Sequence, residues 1–153
     1  MFIGEYDAKL DEKGRVVLPF QLLRQLDDKQ DEKVFVIKKD VYEKNLLLFP
    51  IAEWKNQNDI LKKRLNLFNK KHSKFLTEYN RGTSEIILDK SNRLLIPKKL
   101  IDFLGDNKNL IFEAKGDIIA IWAKDKYEKE EMSEELFAEL AEDVLGGDFI
   151  FSE

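Results

Sequence analysis

Two arginines stand in the same chemical setting. Arg15 closes the stretch "DEKGR" and Arg93 closes "DKSNR", each four residues after an aspartate and each followed by three apolar residues and a proline, Pro19 or Pro97. A guanidinium held by a tight turn can fork onto a phosphate, or onto O6 and N7 of guanine in a major groove. It can equally close an ion pair with Asp11 or Asp89 across its own turn, and the residues by themselves leave these two roles even. Lys9 and Lys13 lie beside Arg15, and Lys90, Lys98 and Lys99 lie near Arg93, so each arginine has cationic company. The aspartates read as structural, because a carboxylate repels phosphate but readily accepts the N–H groups of its own turn.

The elements that position these arginines are written twice. Laying residues 7–26 over 85–104 aligns Leu10 with Leu88, Asp11 with Asp89, Arg15 with Arg93, Pro19 with Pro97, Leu22 with Leu100 and Leu26 with Leu104. Tyr6, Ala8 and Leu10 alternate with charged residues as on a half-buried strand, and "RVVLP" is a second β-prone run. Between them Asp11 opens a type I turn in which Gly14 takes positive φ. The second copy has Asn92 there, the residue after glycine that best tolerates this conformation.

After each proline a short helix is predicted, "FQLLRQL" with Leu22, Leu23 and Leu26 inward and "KKLIDFL" with Leu100, Ile101 and Leu104 inward, the latter stopped by Gly105. Two strands then follow in each copy: "KVFVIKK" and "NLLLFP", answered by "NLIFEAK" and "DIIAIWA", with Trp54 matched by Tyr127. One unit of roughly 50 residues is near the lower limit for burying its own core. Two units complete each other about a pseudo-two-fold axis, with the strand pairing between them left open by the sequence.

Between the copies Leu61, Leu65, Phe68, His72, Phe75 and Tyr79 recur at helical spacing, as one face of a helix or of two helices broken near Asn69. His72 on that face reads as a packed or interfacial residue, since no second ligand stands at metal-binding spacing. Lys62, Lys63, Arg64, Lys70, Lys71 and Lys74 read as a solvated basic face. The segment "SEELFAELAEDVLGG" predicts a helix capped by Ser133 and stopped by Gly146, with Leu136, Phe137, Leu140, Val144 and Leu145 as an apolar stripe. That stripe docks either on the body of the chain or on a neighbouring subunit. The final "DFIFSE" is expected to fray.

The formal net charge of −4 conceals an asymmetry: residues 125–153 carry 11 acids and two bases, which leaves a mildly basic body. The absence of cysteine excludes disulfides and thiolate sites and fits a reducing cytoplasm. A single histidine, no glycine-rich phosphate loop and no clustered ligands argue against an enzyme, a metal or a cofactor. No signal peptide is expected, and the longest apolar runs are far shorter than the ~20 residues of a membrane-spanning helix.

The stretches "MFIGEY", "LDEKGRVVLP", "LLLFPIAEW", "LDKSNRLLIP" and "IWAKDKYEK", spread from Met1 to about Lys129, resemble the MraZ family of bacterial transcriptional regulators, marked by a D-x-x-x-R motif in each of two AbrB-like repeats. The joining segment departs from the family in its lower arginine content. The resemblance implies an α+β fold in which two tandem AbrB-like repeats form a pseudo-two-fold swapped-hairpin β-barrel with short flanking helices. Its parts are then repeat 1 (residues 1–54), a helical joining segment (55–83), repeat 2 (84–129) and an acidic C-terminal helix and tail (130–153). It implies a ring-shaped homo-oligomer, cytoplasmic and nucleoid-associated, that binds direct repeats in double-stranded DNA at the promoter of its own division and cell-wall operon. Arg15 and Arg93 then contact DNA with Lys9, Lys13 and Lys90 in support, while Asp11, Gly14, Asp89 and Asn92 build the turns. The alternative is a protein-interaction module on the same fold, such as an antitoxin-like partner.

Overall fold

Each Asp-led turn separates two strands, and each proline that follows starts a helix. The computed structural model describes residues 1–26 and 33–146. In the first copy β1 (Glu5–Lys9) and β2 (Arg15–Val17) flank the turn, α1 (Phe20–Arg24) follows Pro19, and β3 (Val34–Lys39) pairs with β4 (Leu46–Pro50). Two helices, α2 (Ile51–Lys62) and α3 (Lys70–Asn80), lead to the second copy. There β5 (Ser84–Ile87), β6 (Arg93–Leu95), α4 (Lys98–Leu104), β7 (Asn109–Lys115) and β8 (Ile118–Ala123) repeat the order, and α5 (Lys124–Lys129) and α6 (Glu134–Leu145) follow.

The strands exchange between copies. The main sheet is antiparallel throughout with order β1-β7-β8-β4-β3-β5, so β1 completes the second copy's hairpin and β5 completes the first copy's. Swapping the copies and reversing this order returns the same order. The registers place the axis: Val16 lies opposite Leu94, its own equivalent in β6, and Leu47 lies opposite Ala120, its equivalent in the alignment that matches Trp54 to Tyr127. A residue paired with its own counterpart can only sit on a two-fold axis. The chain is therefore α+β with an antiparallel main sheet, and that sheet is open, with β1 and β5 as its edges.

A separate two-stranded ribbon, β2 with β6, lies against the inner face of this sheet. Val16 and Leu94 point from the ribbon into one cluster with Phe35, Ile37, Phe112 and Ile121. Leu22 of α1 and Leu100 of α4 are fully buried in the same cluster, which fixes the helices that follow the two prolines. On the outer face Trp54 meets Phe49 edge-on at 5.1 Å, and its counterpart Tyr127 meets Trp122 at 5.6 Å. Strands covered on both sides carry unbroken apolar runs, which is why β4 and β8 show no alternation in sequence.

Of the two readings of the joining segment, one helix or two broken near Asn69, the structure has two, α2 and α3. Asn69 caps α3, its Oδ1 accepting from the N–H groups of Lys71 and His72 at 2.9 and 3.3 Å. His72 is half-buried and has a defined local role: its Nδ1 accepts the N–H of Asn66 at 2.9 Å and so ties the loop before α3 to the helix. Leu61, Leu65 and Tyr79 are half-buried as well, but Phe68 is fully exposed. In α6 Ser133 Oγ accepts from the N–H of Leu136 at 3.2 Å, and Gly146 ends the helix in the left-handed conformation at φ 73°. None of its residues is buried, and Leu136, Phe137, Leu140 and Val144 are exposed, so most of the apolar stripe does not dock on the chain's own body; Leu145 is half-buried. "DFIFSE" lies outside the described residues. No helix among those described is long and apolar enough to cross a membrane.

Candidate nucleic-acid interface

The two turns have the same hydrogen bonds. Asp11 Oδ1 accepts from the backbone N–H groups of Lys13 and Arg15 at 2.8 and 2.9 Å, and its Oδ2 accepts from Arg15 Nε at 2.9 Å. Asp89 does the same with Ser91, Arg93 and Arg93 Nε at 2.8, 2.9 and 2.8 Å. Both carboxyls are held below the ordinary aspartate range, chiefly by the backbone N–H of the arginine and then by its guanidinium. Each arginine spends only Nε on this contact. Among the described residues, the terminal amino groups of both have no partner, which leaves the forked edge available to a ligand.

Gly14 and Asn92 adopt φ 81° and 60°, and their carbonyls accept from the N–H groups of Ile96 and Leu18 in the opposite copy, both at 2.9 Å. Each turn is thus fastened to the other copy's strand. A Cβ on Gly14 meets Ile101 Cδ1 at 3.0 Å as well as the penalty of positive φ. Gly14→Val is therefore expected to destabilise by about 1–3 kcal/mol, while Asn92→Gly stays within about 0.5 kcal/mol of the parent. Thermal melts of the two variants check this; an unchanged Gly14→Val would remove the turn geometry.

Pairing of β2 with β6 puts both arginines on one face. Arg15 lies opposite Leu95 and Val17 opposite Arg93, so these four side chains share the outer face of the ribbon while Val16 and Leu94 face the core. The arginines occupy one diagonal, where neighbours stand about 7–8 Å apart, and the exposed Val17 and Leu95 occupy the other. What the sequence presents as two separate tips is in the fold one surface.

The lysines gather around it unequally. Lys9 ends β1, Lys13 lies in the first turn and Lys90 in the second, all exposed. Lys98 and Lys99 are exposed on α4, where Lys98 makes a 3.7 Å ion pair with Asp102. Glu12 stands where the second turn has Lys90, so the second turn is the more cationic. Two further cations join from far along the chain. Lys33 reaches Asn92 Oδ1 at 3.2 Å, and the Lys33 and Lys108 carbonyls accept from Leu88 and Leu10 at the starts of the two turns. Sequence reading misses both, because each borders a turn belonging to the other copy.

Fold and site together define an internally two-fold α+β protein whose halves share one arginine-bearing ribbon. The family described as "MraZ protein, putative antitoxin-like" matches residues 1–78 and 80–146. The chain is 41% identical over 150 residues to the protein named "Transcriptional regulator MraZ" of Christiangramia forsetii, covering 95% of this chain and 94% of that one. It is 39% identical to the protein of the same name in Flavobacterium psychrophilum, over 94% of this chain and 91% of that one. With that of Clostridium acetobutylicum it shares 35% identity, over 83% and 84%. The chain belongs to the MraZ family, a family of transcriptional regulators.

Proposed function

We propose that the protein regulates transcription by binding double-stranded DNA through the outer face of the β2–β6 ribbon. A two-stranded ribbon fits the major groove, and this one presents Arg15 and Arg93 together with their forked edges free. That co-facial pair is the observation that carries the proposal. Lys9, Lys13, Lys33 and Lys90 then supply phosphate contacts, and Val17 and Leu95 lie where thymine methyl groups would meet them. On the same reading, the exchange of β1 and β5 belongs to a swapped-hairpin β-barrel of two AbrB-like repeats, residues 1–54 and 84–129, joined by 55–83 and followed by the acidic segment 130–153. A ring-shaped homo-oligomer in the nucleoid engages direct repeats at the promoter of its own division and cell-wall operon, and the contacts of its subunits add through effective concentration.

A gel-shift on the DNA upstream of its own gene, with scrambled competitor and a salt series, tests this. Specific retention that falls steeply with salt is expected. A protein-interaction module is the second reading, favoured by the family's antitoxin-like description and by the exposed stripe of α6. It predicts no preference for the upstream DNA over the competitor.

A further inference from the structure

We propose that α6 of one copy docks in the cleft between β3 and α3 of a second copy, with its carboxylates toward Lys38. This rests on the oligomeric part of the function proposed above and assigns the two surfaces that meet. The cleft, of about 260 Å³, is lined by Val41, Phe75 and Tyr79, by Lys38, Lys39 and Asp40, and by the Glu78–Arg81 ion pair. Lys38 is only 2% exposed. Its Nζ donates to the Lys39 carbonyl at 2.7 Å and lies 4.1 Å from the centre of the Tyr79 ring, and among the described residues no carboxylate is within ion-pair distance.

A buried ammonium without a paired counter-ion is costly, and burial lowers the pKa of Lys38 against the weaker opposing pull of Asp40. A carboxylate brought to the cleft relieves that cost. Glu113 holds the equivalent place in β7 and already accepts from Trp122 Nε1 at 2.8 Å, so the second half has no such cation. Beside the cleft, Lys39 and Lys44 flank the Phe103 ring at 4.9 and 5.1 Å, and Val41 and Tyr42 are 55% and 93% exposed at the β3–β4 turn. The surface combines apolar side chains with ammonium groups; Glu78 is already paired with Arg81, and Asp40 is the other carboxylate of the cleft lining.

The occupant follows from complementarity. Helix α6 carries five acids and no base between Glu134 and Leu145, and its Leu136, Phe137, Leu140 and Val144 are all exposed. It offers apolar side chains to Phe75 and Val41 and carboxylates to Lys38. Its own body leaves it unpaired, whereas a second copy supplies the cleft in equal number. Helix of one copy on cleft of the next is a heterologous contact, and repeating it generates a closed ring when the rotation permits.

The chain has no cysteine, which makes disulfide trapping clean. Val41→Cys and Phe137→Cys, both at exposed positions, are combined in one chain and oxidised at the protein's assembled concentration. A ladder of covalent oligomers is expected, and an equal mixture of the two single variants is expected to give a mixed dimer. An internal disulfide in a chain of monomer size would place α6 on its own cleft and overturn the proposal. So would the absence of any cross-link while the parent protein is oligomeric by light scattering. A monomeric parent would instead overturn the oligomeric reading beneath it. Leu136→Glu with Phe137→Glu provides an independent measure: the concentration at which the assembly dissociates is expected to rise at least about tenfold, equivalent to ~1.4 kcal/mol. Unchanged dissociation would also overturn the assignment.

Discussion

Arg15→Ala and Arg93→Ala are each expected to weaken binding to the upstream DNA by about 1–3 kcal/mol, the worth of one forked base contact, with melting temperature nearly unchanged. The two quantities separate because the ion pairs with Asp11 and Asp89 lie at the surface, the arginine side chains retaining 29% and 32% of their exposure. Such pairs are worth about 0–1 kcal/mol. Each carboxylate also keeps its backbone N–H partners when the guanidinium is removed, so the turn persists. In an assembly that engages several repeats at once, the weakening multiplies across subunits, and the measured change exceeds that of a single site. Arg15→Lys is expected to restore little, since an ammonium cannot reproduce the planar fork. Lys13→Ala, by contrast, should weaken binding to all sequences alike and reduce the salt slope by about one. Early melting of either alanine variant, with bound fraction following folded fraction, would make the arginines turn residues and nothing more.

The local chemistry of the site is legible in the sequence, and its assembly is not. Asp at the start of a turn, Gly or Asn at positive φ and Pro before a helix are short-range requirements, so both copies of the turn can be read from nine residues each. The cap at Ser133 and the stop at Gly146 are legible for the same reason. The joint face of Arg15 and Arg93 depends on the pairing of Val16 with Leu94, across 78 positions of chain, which no local rule supplies. Lys33 and Lys108 are hidden in the same way: each borders a turn only because β1 and β5 cross to the other copy. His72 illustrates a subtler limit, since its place in the apolar spacing of α3 is real, yet its Nδ1 is used by a loop backbone N–H six residues earlier.

Leu94→Ala is expected to cost about 2–5 kcal/mol, lowering the melting temperature by about 4–20 °C, while Leu95→Ala one residue along stays within about 0.5 kcal/mol. Leu94 is fully buried on the two-fold axis and Leu95 is 58% exposed, and strand alternation alone sets that difference. The site makes the cost large. Each strand of the ribbon spans only three residues, so its hold on the body depends on Val16 and Leu94 in the core and on the cross-copy bonds of Gly14 and Asn92. Truncating Leu94 opens a cavity between the ribbon and the aromatic core around Phe35 and Phe112, from which neighbouring strands cannot withdraw without breaking the sheet. DNA binding by Leu94→Ala should then fall only as its folded fraction falls. Leu95→Ala should do the reverse, keeping its stability and losing affinity where the operator offers a thymine methyl. Chemical denaturation and gel-shift of both variants decide the matter, because a reversal of the two stability losses, with Leu95→Ala the costly one, would mean that the ribbon is shifted by one residue and that Arg15 and Arg93 face the core side instead of solvent.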